Sequence, residues 1–319
     1  MRESWSDLTV EIRADSKSGF ALRGRLPRQA FSTEGEGGLR EPMTPQGAAS
    51  PTFVLVASSK NPASRTIASA LLREHGFKST GVRFQSTDLY QSGSVILATI
   101  DTEIIYPPDL DAYFRPQAYV FLSTHRAESG IPSLTVHTTG NFTDKEVLGG
   151  RPREVGVIDP DLQKNYLIAL NERRSQLEGY EITIEATHHG PTSLHRPVLF
   201  VELGSTERQW GDEQAGGVIA DALMASLASG KRWDRVALAF GGTHYPQKFN
   251  QVLLEGDCAL SAVVAKHSLE WIDGEMFGQL IQRTSRFPSQ VMVDWKGAGP
   301  HKEKIILLSK QFALEVVRV

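Results

Sequence analysis

The sequence has 319 residues, of which 40% are hydrophobic, so it can bury a substantial core as one large α/β domain or two smaller ones. Its formal net charge of -3 excludes a globally basic nucleic-acid coat protein, although a local basic patch could still attract phosphates. A single cysteine, Cys258, excludes an internal disulfide and a multi-cysteine metal site, and no apolar run has the length of a membrane span. We therefore expect a soluble, cytoplasmic, folded protein.

Residues 1–50 combine balanced charges with Gly, Ser and Pro, and they contain only one short candidate strand, at residues 8–12. Such a composition offers little apolar surface to bury, so we predict an extension that is largely disordered. The folded domain is predicted over residues 51–319.

Apolar, β-branched runs alternate with helical patterns through this domain. The run at residues 52–57 is followed by a loop and by apolar residues at helical spacing, which is typical of a strand-loop-helix unit. Pro160 predicts the start of a second helix that continues to Gly179, and Gly230 is predicted to end a third. Further strands are predicted at residues 94–100, 118–122, 133–137, 181–186, 197–203 and 236–240.

This alternation predicts a three-layer α/β/α architecture with helices on both faces of a mostly parallel or mixed sheet. In such sheets ligands bind in a crevice at the carboxyl ends of the strands. Five of the nine histidines end a predicted strand or follow one closely, and we expect them to meet in one pocket. They are His125, His137, His188, His189 and His244.

Histidine is a common Zn²⁺ ligand and the usual general base near neutral pH, although a single histidine is more often a structural hydrogen-bonding residue. Glu185 or Glu202 could serve as a ligand, an orienting group or a base. Adjacent residues on an extended chain point to opposite sides, so only one of His188 and His189 should enter the pocket unless the turn reorients them. The spacing matches no compact metal motif, so the residues alone leave the ligand set open.

Three turns after predicted strands offer backbone amides and hydroxyls. The turn after residue 203 precedes a helix, so it either caps that helix or binds a phosphate or an oxyanion. The turn after residue 240 has the same two interpretations, and the glycine after the two adjacent histidines is either a plain turn residue or a point of close substrate approach. The residues concerned are Gly190, Gly204, Ser205, Thr206, Gly242 and Thr243.

Several motifs of other enzyme classes are absent from the sequence. It has no Walker A loop, no Gly-x-Gly-x-x-Gly fingerprint and no Gly-x-Ser-x-Gly elbow, which disfavours a nucleotide cofactor and favours hydrolysis by an activated water. Basic residues such as Arg173, Arg174 and Lys248 are scattered, which is more typical of a solvated surface than of an RNA-binding footprint.

Four segments of the chain resemble one known family, the D-aminoacyl-tRNA deacylases of the archaeal and plant type. They are STHRAESGIPSLTVHTTGN at residues 123–141, EATHHGP at 185–191, ELGSTERQW at 202–210 and GGTHYP at 241–246. The resemblance covers the chain from about residue 52 to the C-terminus and includes VDWKG at residues 293–297. Residues 1–50 depart from the pattern, since chains of this family usually start near the first strand.

The resemblance implies cleavage of the ester between a D-amino acid and the 3′ end of tRNA, which removes the wrong enantiomer before translation. It also implies a zinc-dependent monomer with a phosphorylase/hydrolase-like α/β/α fold related to peptidyl-tRNA hydrolase. We expect no DNA or membrane partner.

These observations give a hypothesis for the site. A metal held by some of the histidines, or else a histidine and Glu185 without a metal, activates water to attack the aminoacyl carbonyl, and backbone amides of the glycine turns stabilise the oxyanion. Alternatives are a zinc exopeptidase or a nucleoside phosphorylase on the same fold, and a non-catalytic module that binds the tRNA 3′ end. We assign His188, His189 and Glu185 as catalytic, His125, His137 and His244 as metal ligands, and Gly190, Gly204, Ser205, Thr206, Gly242, Thr243 and Lys248 as substrate-binding.

Overall fold

The computed structural model describes residues 52–319, so the extension predicted over residues 1–50 lies outside the described part of the chain. Its strands are β1 (Phe53–Ser58), β2 (Lys78–Phe84), β3 (Thr87–Ser92), β4 (Val95–Ile100), β5 (Ala118–Thr124), β6 (Ser133–Thr138), β7 (Gly140–Asn141), β8 (Glu154–Val155), β9 (Glu181–Ile184), β10 (Val198–Gly204), β11 (Arg235–Phe240), β12 (Cys258–Val264), β13 (Gln290–Val293) and β14 (Glu315–Arg318). Its α-helices are α1 (Pro62–Glu74), α2 (Pro160–Glu172), α3 (Glu207–Trp210), α4 (Glu213–Ser229), α5 (Gln247–Glu255), α6 (Gly274–Gln282) and α7 (Lys302–Gln311).

The strands form two main sheets. The larger has eight strands in the order β2-β3-β4-β1-β5-β10-β6-β9, and the smaller has four in the order β12-β11-β13-β14. In the larger sheet β4, β1, β5 and β10 are parallel, whereas β6 is antiparallel to β10; the smaller sheet is parallel throughout. The predicted α/β class with a mixed sheet is confirmed, and the division into two sheets is a feature that the sequence did not predict.

The two faces of β1 enter different cores. Leu55 belongs to the core shared with α1, α2 and α4, whereas Val54 packs on the other face with Phe114 and other residues of the connecting loops. Helices α2 and α5 also contact β12, so the first core continues onto the smaller sheet. Helices α6 and α7 cover the opposite face of that smaller sheet.

Two of the three predicted helix ends are confirmed. Asp159 caps α2 by accepting hydrogen bonds from two backbone amides, and Gly230 ends α4 with a positive φ of 55°, which glycine adopts without strain. The predicted end of α2 at Gly179 is wrong, because the helix stops at Glu172. Leu177 is nevertheless buried beyond the helix, which is why the apolar stripe continues past its true end.

The segment after β9 passes from the larger sheet to the smaller one. The amide of Ala186 donates to the carbonyl of His244 and that of Thr187 donates to the carbonyl of Val263, both at 2.8 Å. We call this junction between the two sheets the seam. Within residues 52–319, the structure contains no helix with the length and apolar character needed to cross a membrane.

Candidate active site: a buried histidine–glutamate cluster

Side chains from five different segments meet at the seam. They extend from the loop after β5, from β6, from the segment after β9, from β10 and from the loop after β11. His137, on β6, lies opposite Phe200 of the antiparallel strand β10. Its side chain therefore reaches the other side chains from a face of the sheet rather than from the edge. The members of this histidine–glutamate cluster are His125, His137, Glu185, His188, His189, Glu202 and His244.

His125 lies between the two carboxylates of the cluster. Its Nδ1 is 3.1 Å from Oε1 of Glu185 and 3.4 Å from Oε2 of Glu202. Burial lowers the pKa of His125, but hydrogen bonds and charge from the two carboxylates outweigh it and raise this pKa to about 10. His125 is therefore an imidazolium at neutral pH, and it neutralises carboxylates that are themselves almost fully buried.

The two carboxylates are ionised. Burial raises the pKa of Glu185, but hydrogen bonds from His125 and His244 hold it well below its usual range. The pKa of Glu202 is lowered as well, because burial raises it but the contacts with His125 and His137 outweigh that burial. Such carboxylates accept hydrogen bonds or bind cations, and they are weak bases.

His244 and His188 both face Glu185. Nε2 of His244 donates to Oε2 of Glu185 at 2.7 Å, so Nδ1 of a neutral His244 carries the lone pair. Nε2 of His188 lies 3.8 Å from the same oxygen, which is too far for a direct hydrogen bond. The side chains of His244 and His188 are 35% and 30% exposed, so substrate can reach both imidazoles.

Three imidazoles share one pattern of hydrogen bonding. Nδ1 of His137, His188 and His189 donates to the carbonyls of Thr138, Ala186 and Gly190, at 3.1, 2.7 and 2.6 Å respectively. Because a carbonyl only accepts, each Nδ1 carries the proton and each Nε2 is left to bind something else. One ligand atom from each of the three lies within 4.8 Å of the others, so they could hold a metal ion.

The backbone at His189 explains how two adjacent histidines enter one pocket. Its φ is +38°, in the left-handed region, which turns the chain after His188. The two rings therefore lie 4.4 Å apart instead of on opposite sides of a strand, and both contact the ring of His137. The exception that the sequence analysis left open, a turn that reorients them, is the one that the structure shows.

The protonation of this trio is set by burial and by mutual repulsion. Burial and the neighbouring imidazole of His137 lower the pKa of His188 well below its usual value and that of His189 to about 4. Burial lowers the pKa of His137 as well, but Glu202 outweighs it and raises this pKa. His188 and His189 therefore keep free lone pairs at neutral pH.

Two buried polar atoms of the cluster face a charged neighbour without a well-aligned hydrogen bond. Oε1 of Glu185 lies 3.1 Å from Nδ1 of His125, and Nε2 of His137 lies 3.6 Å from Oε1 of Glu202. A buried polar atom without a hydrogen bond costs about 1–3 kcal/mol, so a bound species that satisfies Nε2 of His137 would stabilise the site. Among residues 52–319, two further groups could hold a metal: Glu185 with His188 and His244, and His125 with Glu185 and Glu202. The predicted ligands His125, His137 and His244 do not form one group.

The predicted substrate-binding residues near the cluster are engaged in structural contacts. The amide of Gly190 donates to the carbonyl of Leu148, and a Cβ on Gly190 would overlap the carbonyl oxygen of Gly149. The hydroxyl of Ser205 donates to the carbonyl of Ile131 at 2.7 Å. Gly190 and Ser205 thus have partners within the protein already.

Gly204 and Thr206 also have clear structural roles. A Cβ on Gly204 would overlap the carbonyl oxygen of His125, so only glycine lets the His125 segment pack there. Thr206 caps α3 in a capping box with Gln209. The capping interpretation of this turn is the one that the structure shows.

The remaining predicted residues, Gly242, Thr243 and Lys248, line a cavity of about 1110 Å³ beside the cluster. Thr243 donates to the carbonyl of Tyr245, and Lys248 donates to Asp294 and to the carbonyl of Val319. Tyr245 was not singled out from the sequence, yet its hydroxyl lies 3.1 Å from Nε2 of His125. Its position next to His244 in the GGTHYP segment was the sequence signal that could have identified Tyr245 as a residue of the site.

The chain is similar to known proteins over most of its length. The family model for D-aminoacyl-tRNA deacylase matches residues 112–317. A D-aminoacyl-tRNA deacylase of Cenarchaeum symbiosum is 41% identical over 69% of this chain and 85% of its own length, and one of Pyrococcus furiosus is 31% identical over 83% and 99%. A crystal structure of a conserved protein of unknown function, 27% identical, superimposes with a TM-score of 0.78 over 84% of this chain and 95% of its own. The chain therefore belongs to the D-aminoacyl-tRNA deacylase family and hydrolyses the ester bond of D-aminoacyl-tRNA.

Proposed function

We propose that the ester is cleaved at the histidine–glutamate cluster and that His137, His188 and His189 hold a zinc ion there. The observation that carries this proposal is the shared pattern of the three imidazoles, each tied to a carbonyl through Nδ1, which leaves Nε2 as the nitrogen that would bind the metal. Metal-binding histidines usually donate their second ring N–H in this way, which fixes the tautomer and the ring orientation.

The protonation states of the trio suit a cation. His188 and His189 already carry lone pairs, since their pKa values are lowered, and only His137 must lose a proton when a metal binds. Three imidazoles are a known donor set for catalytic zinc, and bound zinc lowers the pKa of a water molecule and polarises a carbonyl. A cation at the trio would also satisfy the unpaired Nε2 of His137.

His125 is assigned a different role from the one the sequence analysis gave it. An imidazolium has no lone pair at its protonated nitrogens, so His125 is a poor ligand while its pKa stays near 10. We assign it as the counter-ion that keeps Glu185 and Glu202 ionised inside the protein.

We assign proton transfer to His244, oriented by Glu185. The hydrogen bond from Nε2 to Glu185 leaves Nδ1 of His244 free to take a proton from the attacking water. The water oxygen bonds to the aminoacyl carbon, the bond from that carbon to the ribose oxygen breaks, and His244 returns the proton to that ribose oxygen. The products are the free D-amino acid and tRNA with a free terminal hydroxyl.

The test is a comparison of D-tyrosyl-tRNA with L-tyrosyl-tRNA, with and without a chelator, alongside a metal assay of the protein. We expect about one zinc per chain, selective loss of the D-ester, and loss of activity on chelation that added zinc restores. Full activity in a preparation shown to be metal-free would reject zinc and leave Glu185 with a histidine as the hydrolytic groups. Tight tRNA binding without ester loss would reject catalysis itself.

We also propose that the protein acts as a monomer in the cytoplasm on tRNA rather than DNA. The monomeric state is the one that the family resemblance implies. Light scattering during gel filtration tests this: a mass near 35.1 kDa is expected, and a stable dimer at assay concentrations would overturn it.

A further inference from the structure

A basic cavity opens beside the histidine–glutamate cluster. Its volume is about 1110 Å³, which exceeds the roughly 300–1,000 Å³ typical of small-molecule sites. It is connected to the cluster by Tyr245, which lines the cavity and contacts His125. The loop that carries His244 forms part of its wall, since Gly242 and Thr243 are among the lining residues.

Most of the charged side chains in the wall of this cavity are cationic. Arg174, Lys248, Lys266 and Lys296 line it, against the two acidic residues Glu181 and Asp294. Lys248 is paired with Asp294 at 2.8 Å. The other three cations have no carboxylate within 4.0 Å among the described residues, and all three are exposed. The cavity therefore has three charges available for an anionic ligand.

The wall also contains aromatic rings. Tyr180 and Tyr245 both line the cavity and are half-buried, and the hydroxyl of Tyr180 is fixed by Asp212 at 2.9 Å. Cations that follow a phosphate backbone, combined with aromatic faces on which bases stack, are the common design of single-stranded nucleic-acid sites.

We propose that this cavity binds the single-stranded 3′ end of the tRNA, with Arg174, Lys266 and Lys296 contacting its phosphates and Tyr245 marking the passage to the ester. The proposal rests on the activity toward tRNA esters and adds the surface that holds the nucleotides. The three cations lie in separate segments of the chain, after α2, after β12 and after β13, and they share only the cavity.

The closing experiment uses the full chain with Arg174→Gln, Lys266→Gln and Lys296→Gln, singly and together. Each single variant should raise KM for D-tyrosyl-tRNA and Kd for uncharged tRNA about tenfold, since a charged hydrogen bond is removed. The slope of log Kd against log salt should fall by about 0.7 for each single-strand phosphate that the variant no longer neutralises. Lys310→Gln, a change of the same kind on α7 outside the cavity, should alter neither quantity.

A second substrate separates binding from chemistry. D-tyrosyl-adenosine has the ester but no phosphate, so the three variants should lower its kcat/KM far less than that of D-tyrosyl-tRNA. Equal losses on both substrates would mean that the cations support the cluster, and an unchanged salt slope in the triple variant would mean that the cavity does not hold the strand. If inorganic phosphate competes with uncharged tRNA and a single-stranded RNA tetranucleotide does not, the proposal is also overturned. Binding of uncharged tRNA is measured without turnover, so failure of this inference and failure of the activity are distinguishable.

Discussion

Nε2 of His125 donates a hydrogen bond to the hydroxyl of Tyr245 at 3.1 Å, which joins the charged centre of the cluster to the wall of the basic cavity. The direction of this bond follows from the raised pKa of His125, since both nitrogens of an imidazolium are donors. A ligand in the cavity would therefore touch Tyr245, which contacts His125.

Replacing Tyr245 by Phe removes the acceptor from a charged donor. We expect the free energy of unfolding to fall by about 1–3 kcal/mol and turnover of D-tyrosyl-tRNA to fall with it, because His125 loses one of its anchors. Urea denaturation and steady-state kinetics measure the two effects. Tyr180→Phe is the matched control, since it loses a hydroxyl–carboxylate bond in the same cavity without touching the cluster. Equal effects of the two variants on turnover would contradict the link through His125.

Replacing His137, His188 or His189 by Ala should abolish zinc binding. Mutation of a residue that supports a metal ligand usually lowers activity by about 10–100-fold. Each of these variants should lose more than that, because a direct ligand is removed. Elemental analysis of the purified protein gives the metal content, and circular dichroism checks the fold. The control is His195→Ala, since this histidine is exposed and paired with Asp111 away from the cluster.

His244→Ala tells the possible ligand groups apart. If His244 transfers protons, the variant should retain zinc while kcat falls by about 10²–10⁴-fold. Loss of the metal from this variant would instead identify Glu185, His188 and His244 as the ligands, which is the second group that the structure allows.

The stability of the metal-free protein should depend on pH through His189. Its folded pKa of about 4 lies below the unfolded value of 6.5, so the unfolded state binds more protons between these values. The contribution of neutral His189 to the free energy of unfolding is therefore fully present above about pH 6.5 and is lost as the pH falls through about 4. The free energy of unfolding, measured by urea denaturation between pH 4 and 7, should rise more steeply with pH in the wild type than in His189→Asn. Identical slopes would show that His189 is not held neutral by its surroundings.

Gly204→Ala tests whether the glycine is structural. Its Cβ would overlap the carbonyl oxygen of His125, so we expect a loss of about 1–3 kcal/mol in unfolding free energy as the His125 segment is displaced. Gly211→Ala is the control, because it has φ of -96° and open space around its would-be Cβ. A stability of Gly204→Ala equal to that of the control would refute the packing argument.

Much of the fold could be predicted because its signals are local. The buried strands and the ends at Asp159 and Gly230 follow from apolar runs and capping residues, and the resemblance identified the family before any geometry was known. The β2–β3 hairpin was missed because only Phe84 and Leu89 of its strand residues are buried, so no apolar alternation marks it. The family match also decides against the exopeptidase, phosphorylase and binding-module alternatives.

The division of roles within the cluster could not be predicted, because it depends on which ring nitrogen meets which partner. His137 and His125 look alike in sequence, yet one donates to a carbonyl and the other contacts two carboxylates. The entry of both His188 and His189 depends on one backbone angle. Arg174, Lys266 and Lys296 were not grouped in the sequence analysis, because they come from three segments rather than from a basic run.

The seam has a consequence for how the molecule assembles. Glu185 follows a strand of the larger sheet and its partner His244 follows a strand of the smaller one, so the hydrogen bond between them needs both sheets in place. The proton-transfer pair that we propose, His244 oriented by Glu185, is therefore complete only when both sheets have formed and met. A chain with one sheet formed would lack this pair.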